Sequence, residues 1–502
     1  MKEKIIGPDY NNLKSDYVSK KLSDNEDMLR SIFAKSGDVQ FKKLNYEKIL
    51  VVYIENIINK ETIENHILTP LMSNIQSISE SINTSITELK NSTFKVLNVE
   101  IANTFDILVL NLLSGSTLVF LDESDAALVI KSPDIKERAL TSAESEQSIR
   151  GLRVTFGERL KTNISLIRSY IKDPNLCIEI LKVGRRSQKE VAIIYISGII
   201  NEELPSSIIQ RIQQIDIDGI IGAAQLEELI GKNKWTVMPQ MMITERLDRT
   251  VGNLFEGRAA LVIDGTSFVM IVPTTFNMLI TSADDYFQRP LVSTMLRIIR
   301  YLSFIVCTSF EGAYLALTSY QPGMFPTPLA LSITGSRVGL PFPIIVEVFL
   351  MEITLYVLQE AAIRLPKPLG TTVSIVGGLV IGQSVVQAGI VSPIIIVVVA
   401  GSAITSFTLP NYTFSLGCIM LRLFLVSMSA VLGLYGLVIG WIFILIHLSS
   451  LEEFGVRYLS DYSPYSFSKV KDTLIRVNES IMNKRPKNLN LDDDIKIILM
   501  LR

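Results

Sequence analysis

The sequence predicts an α+β soluble amino-terminal region of two duplicated subdomains, followed by an all-α polytopic membrane domain of five to six helices. Three observations carry this reading. Charge is unevenly spread: the 502-residue chain holds 48 Lys and Arg and 50 Asp and Glu, yet only ten of these lie in 291–450. None falls in 368–421 or in 423–451, and uncharged apolar runs much longer than about 20 residues read as membrane-spanning. The charged half also repeats itself, and each repeat mixes β-branched runs with turn residues.

The repeat can be laid out by eye. KILVVYIENIINKETI (48–63) aligns with EVAIIYISGIINEELP (190–205), placing Tyr53 over Tyr195 and Asn59 over Asn201 at an offset of 142. SGSTLVFLDESDAALVIKS (114–132) aligns with EGRAALVIDGTSFVMIVPT (256–274) at the same offset, with Gly115 over Gly257 and Asp122 over Asp264. Each copy therefore predicts a buried strand, a polar turn, a helical segment and a closing hairpin; the second hairpin turns at Asp264-Gly265. Six units follow: a flexible or peripheral arm (1–40), subdomain one (41–140), a helical linker (141–184), subdomain two (185–285), a transmembrane domain (291–450) and a charged cytoplasmic tail (451–502). In the linker, Ile149, Leu152, Phe156, Leu160, Ile164 and Ile167 recur at helical spacing, and Asp173-Pro174-Asn175 ends the pattern.

Composition excludes several classes. Cys177, Cys307 and Cys418 are too scattered for a disulfide framework or zinc site and read as buried thiols. The two histidines, His66 and His447, stand one in each half. Gly115, Gly257 and Gly265 sit in hairpins, not in a phosphate-cradling loop. Asp122 and Asp264 are turn-capping residues before they are metal ligands. No nucleophile–base set is present, so no enzyme and no cofactor are expected. A small ligand in the cleft of the duplicated units stays open. The polar amino terminus has no apolar h-region, so the soluble half is expected on the cytoplasmic side.

Spans are expected at about 299–317, 341–361, 371–389 and 393–407. The run 415–448 is long enough for two short spans or one tilted span. Arg297, Arg300, Arg364, Lys367, Lys469, Lys471 and Arg476 fit the cytoplasm if the amino terminus is inside and the span count is even; Arg337 counts weakly against this. Gly378-x-x-x-Gly382 and Gly436-x-x-x-Gly440 are candidate helix-packing pairs. Gln383 and Gln387 share a helix face and should meet a helix, a subunit or water. Glu347 and Glu352 lie within a span about 140° apart on the helix. Intramembrane carboxylates are functional candidates, so both, with Gln383 and Gln387, are candidate pore or ion-path residues. One of them could pair with Arg337, Arg297 or Arg422 while the other meets ions, and structural ion pairing is the competing reading. Glu311 in the first span merits the same scrutiny.

Several long segments resemble the A-subunit family of spore germinant receptors. They are VEVFLMEITLYVLQEAAIRLPKPLGTTVSIVGGLVIGQSVVQAGIVSP (346–393), DIDGIIGAAQLEELI (216–230), LFEGRAALVIDGTSFVMIVPTTF (254–276), TPLALSI (327–333) and HLSSLEEFGVRYLS (447–460). TTVSIV and GQSVVQ depart mildly from the family's GQTVSIV and GQAAVQ. The resemblance implies a subunit of a nutrient receptor in the inner spore membrane, assembling as a pentamer into a nutrient-gated cation channel. It also implies two partners, a B-type nutrient-binding membrane subunit and a C-type lipoprotein. A stage V sporulation AF-type protein, assisting ion or dipicolinate release, shares the fold and is the alternative. A secondary transporter would show inverted repeats of its spans, whereas the duplication here is confined to the soluble half.

Overall fold

In the computed structural model both copies of the repeat build the same sheet. The structure describes residues 16–44, 48–73, 98–132, 146, 150–364, 378, 382–463, 472–478, 485 and 489. In the first copy β1 (Val39–Leu44), β2 (Ile49–Ile54), β3 (Val99–Ala102), β4 (Ser116–Leu121) and β5 (Ala127–Lys131) pair in the order β1-β2-β4-β5-β3. In the second, β6 (Leu176–Val183), β7 (Lys189–Ile196), β8 (Met242–Thr244), β9 (Ala259–Ile263) and β10 (Val269–Val272) repeat that order as β6-β7-β9-β10-β8. Every neighbouring pair is antiparallel. Strands β2, β4 and β9 are buried along their whole length, which is why they read as unbroken apolar runs.

Helices cover both faces of each sheet. α1 (Leu22–Ile32) and α2 (Phe105–Leu113) pack on one face of the first sheet, and the helical stretch 60–73 packs on the other. In the second copy α3 (Leu160–Tyr170) and α6 (Leu247–Phe255) cover one face, while α4 (Glu203–Gln213) and α5 (Ala223–Ile230) cover the other. Residues expected as an arm and as a linker thus supply the first helix of each copy, the start of the first copy's edge strand and the whole of the second's. The arm's first 15 residues lie outside the described residues, and from Tyr17 onward the arm belongs to the first unit. Of the expected linker helix, only Leu160–Tyr170 is helical among the described residues, because Thr155 instead bridges to Arg246 beside the second sheet.

A buried ion pair locks the copies together. Arg168 on α3 donates to both carboxylate oxygens of Asp38 at 3.0 and 2.8 Å, with both side chains essentially solvent-free. Ser36 bridges in parallel to Ile178 on the edge of the second sheet.

The carboxyl-terminal half is helical: α7 (Pro290–Ser319), α8 (Thr327–Ser336), α9 (Ile344–Arg364), α10 (Pro393–Ser406) and α11 (Tyr412–Ser450). Two of these, α7 and α11, are long and apolar enough to cross a membrane. Gly433 breaks α11, with φ 62° and ψ −140°, in the left-handed region that glycine enters without penalty. The chain folds back there. Leu425 meets Gly440, while Gly417 and His447 both meet residues 236–238. Its two arms, 412–432 and 434–450, would measure about 31 and 25 Å at helical rise. Burial in this half is inverted: Glu311, Arg422 and Ser402 are enclosed, whereas Val397, Ile404, Val431 and Val438 are 60% or more exposed. Residues 365–377 and 379–381, which include ten of the nineteen residues of the expected third span, lie outside the described residues.

Candidate functional site

Three charged assemblies connect the helices to one another and to the soluble half. The first sits where α7, α9 and the first arm of α11 meet. Arg422 places Nη2 3.2 Å from Glu352 Oε2 and Nη1 3.6 Å from Glu311 Oε1. The three side chains are at most 1% exposed. Arg422 Nη2 also donates to Tyr356 Oη. One guanidinium thus stands between two carboxyl groups, all three buried from solvent, where an unpaired charge is very costly. Glu311, Ser402 and Ser429 keep side-chain oxygens with no hydrogen-bond partner among the described residues.

The second assembly lies one to two turns earlier on α9. Glu347 Oε1 is 3.0 Å from Arg337 Nη2, and its Oε2 accepts the Ser392 backbone N–H at 2.9 Å. Ser392 also caps α10 through its own hydroxyl. Glu347 therefore ties the arginine after α8 to the start of α10. The 140° between the two glutamates on α9 has a direct consequence: each faces a different neighbour.

The third assembly joins the halves. Asp285, 1% exposed, receives Arg297 Nε at 3.1 Å and Arg300 through both its oxygens. Arg297 also reaches Asp472, and Arg476 donates to the Gln288 and Tyr286 carbonyls. The stretch 472–476 of the tail is thus packed against the root of α7. After α11, a two-stranded turn (Glu452–Glu453 with Val456–Arg457) docks on α4 and α5. Glu453 accepts from Arg211 and from the Lys232 backbone N–H, and Arg211 lies 4.2 Å over the Phe454 ring. A single apolar cluster unites Met238, Met242 and Phe276 with Phe304, Phe414, Cys418 and Leu448. Nearby, burial raises the Glu227 carboxyl above its ordinary range, against the pull of the Met241 and Gln240 N–H groups it accepts.

The other sequence candidates divide sharply. Gly436 and Gly440 face the opposite arm: a Cβ on Gly436 would fall on the Met428 carbonyl, and one on Gly440 would lie 2.7 Å from Leu425 Cδ2. Gly378 and Gly382 have nothing within 4 Å of such a Cβ among the described residues. Gln383 and Gln387 are exposed at the surface of this single chain. Asp122 and Asp264 each accept the first backbone N–H of a helix, from Leu22 and from Leu160. Among the described residues no group of three or more His, Cys, Asp or Glu side chains could hold a metal. Sequence reasoning missed the hub role of Arg422 and the Arg211–Glu453 joint. Their only sequence signal is a lone charge inside, or just beyond, an apolar run.

A profile of the Bacillus/Clostridium GerA spore germination proteins matches residues 27–488. The chain belongs to this family. All three assemblies lie within the GerA match. Spore germination protein KA of Bacillus subtilis (strain 168) is 37% identical over 484 residues, covering 95% of this chain and 88% of that protein. Spore germination protein B1 of the same organism is 33% identical, covering 97% and 98% of the two chains. GerLA of Bacillus cereus is 33% identical, covering 89% and 91%. Among solved structures, the N-terminal domain of the A subunit of the Bacillus megaterium spore germinant receptor GerK3 is similar. It is 28% identical with a TM-score of 0.42, and the match covers 52% of this chain and 98% of that domain.

Proposed function

We propose that this GerA-family protein is the A subunit of a nutrient germinant receptor in the inner spore membrane. In this reading several copies, five by the family resemblance, surround a cation path that opens when a B-type partner binds nutrient; a C-type lipoprotein completes the complex. The observation that carries the membrane part is inverted burial. Charged groups are enclosed and large aliphatic side chains face outward, the arrangement a bilayer selects and water opposes. Family membership supplies the link to germination.

The helix directions support six crossings. The soluble half meets the root of α7 and both ends of the α11 hairpin, while Tyr320, beyond the far end of α7, donates to the carbonyls of Ala430 and Val431 near the hairpin tip. In this reading α7 runs outward, α9 and α10 run inward and the hairpin goes out and back, and the third span expected from the sequence would supply the remaining outward crossing. The soluble half and the tail then share the cytoplasmic side with Arg364, as the distribution of basic residues favours.

Exposed Gln383 and Gln387 are available to line a path between copies. Glu347 and Glu352 are held by arginines and would join such a path only if those pairs separate. The test is early potassium efflux from spores with and without the gene, over a nutrient panel, before dipicolinate release. Loss of efflux for one nutrient class is expected. Unchanged efflux to every nutrient with slower later release would replace this reading with the AF-type auxiliary one.

A further inference from the structure

The loop after α5 carries Trp235, which is 98% exposed, although tryptophan is on average among the most buried residues. The loop is not loosely held. Gln240 Nε2 donates to the Asn233 carbonyl at 2.6 Å, and Glu227 Oε1 accepts the backbone N–H groups of Gln240 and Met241. Lys232 N donates to Glu453 Oε2 at 2.9 Å. The loop also rests on both arms of the α11 hairpin. Thr236 Oγ1 lies 3.0 Å from His447 Nε2, and the Val237 carbonyl oxygen is 2.7 Å from where a Cβ on Gly417 would lie. Gly417 and His447 are each within two turns of their end of the hairpin. If the hairpin spans a bilayer, this rigid loop stands at the level of the lipid headgroups. Lys232, Lys234 and Val237 flank Trp235 and are at least partly exposed.

We propose that Trp235, with Lys232 and Lys234, is an interfacial anchor that docks the soluble half on the surface of its own membrane. The indole sits among the headgroups, the position tryptophan prefers at membrane boundaries. The two ammonium groups meet the phosphates of anionic lipids. This inference rests on the membrane reading above, and it fixes the tilt of the second sheet relative to the bilayer.

The chain contains two tryptophans, Trp235 and Trp441, which gives the test an internal control. Trp441 lies on the second arm, about 13 Å from its end at helical rise, and donates to Ser309 Oγ at 2.8 Å. The full chain is reconstituted in phosphatidylcholine–phosphatidylglycerol vesicles whose acyl chains are brominated at a shallow or a deep position. Tryptophan quenching is compared for wild type, W235F and W441F. Because W235F alters only an exposed side chain, the difference between wild type and W235F reports Trp235 even if W441F folds poorly. The ratio of shallow to deep quenching is expected above unity for Trp235 and below unity for Trp441. Unquenched Trp235 beside quenched Trp441 overturns the anchor and leaves the spans standing; blue-shifted emission would then point to a second copy covering the indole. No quenching of either residue overturns the membrane reading itself. K232Q/K234Q should abolish the extra Trp235 quenching gained with phosphatidylglycerol. An unchanged gain overturns the role of the lysines.

Discussion

At the scale of single residues, Arg422 is the side chain on which the helical half most depends. It faces Glu352 and Glu311, and all three are enclosed. Removing one partner of a buried pair strands the other charge, at a cost of about 3–5 kcal/mol. Arg422→Gln should therefore lower the thermal midpoint of the detergent-solubilised protein far more than Arg364→Gln, whose pair with Glu360 is exposed. Equal, small shifts would refute the assignment. The two glycine pairs make a second contrast. A methyl group at Gly436 meets backbone, which cannot move aside as a side chain can, whereas one at Gly382 meets nothing within 4 Å among the described residues. Gly436→Ala should destabilise by about 1–3 kcal/mol and Gly382→Ala hardly at all, as read from the same melts. The motif spacing is legible in the sequence for both pairs. Which pair packs is not, because that depends on Gly433 reversing the chain. The glutamates are legible as unusual because charge is rare in an apolar run. Their separation around α9 already requires two different neighbours, and only the fold names them.

At the scale of elements, the duplication extends further than the sequence comparison reaches. Asn25 and Asn163 play equivalent parts. Each accepts a backbone N–H from six residues earlier and donates to that residue's carbonyl, at Ser19 and at Gly157. These asparagines are 138 residues apart, while the aligned strands β2 and β7 are 142 apart. The cause is the first hairpin of each copy. Val39 pairs with Ile54 and Leu176 with Ile196, so the second hairpin is five residues longer, while the stretch from the asparagine to that hairpin is one residue shorter. An ungapped comparison loses the match upstream of that insertion. The leading helix of each copy, and the edge strand of the second, therefore look like arm and linker in the sequence. Between the copies, Glu55 receives Lys60 and Lys161 at 2.5 and 2.9 Å. The hydrogen bond from Lys60, then that from Lys161, holds the Glu55 carboxyl below its ordinary range. A depressed carboxyl adds stability at neutral pH that is lost as pH falls through its folded value. Glu55→Gln should consequently lower stability at neutral pH by no more than about 1 kcal/mol, since both lysines are solvent-exposed, and leave it unchanged at a pH below the depressed value of the folded carboxyl. Denaturant titrations at the two pH values check this.

At the scale of the whole molecule, the soluble and helical halves share one apolar cluster and are pinned by Asp285 and Glu453. A force on the second sheet must therefore reach the roots of α7 and α11. Hydropathy alone separates these halves correctly as classes of structure, yet it gives no hint of the joint. The joint is made in part by polar contacts between residues more than 200 positions apart, such as Arg211 with Glu453. In the proposed receptor, a signal from a nutrient-binding partner would cross this joint to open the helices. Early potassium efflux from nutrient-stimulated spores carrying Glu453→Gln, at matched protein level in the inner membrane, tests it most directly. The account predicts efflux delayed or lost while the protein remains assembled in the membrane. Efflux with wild-type onset and rate would contradict it.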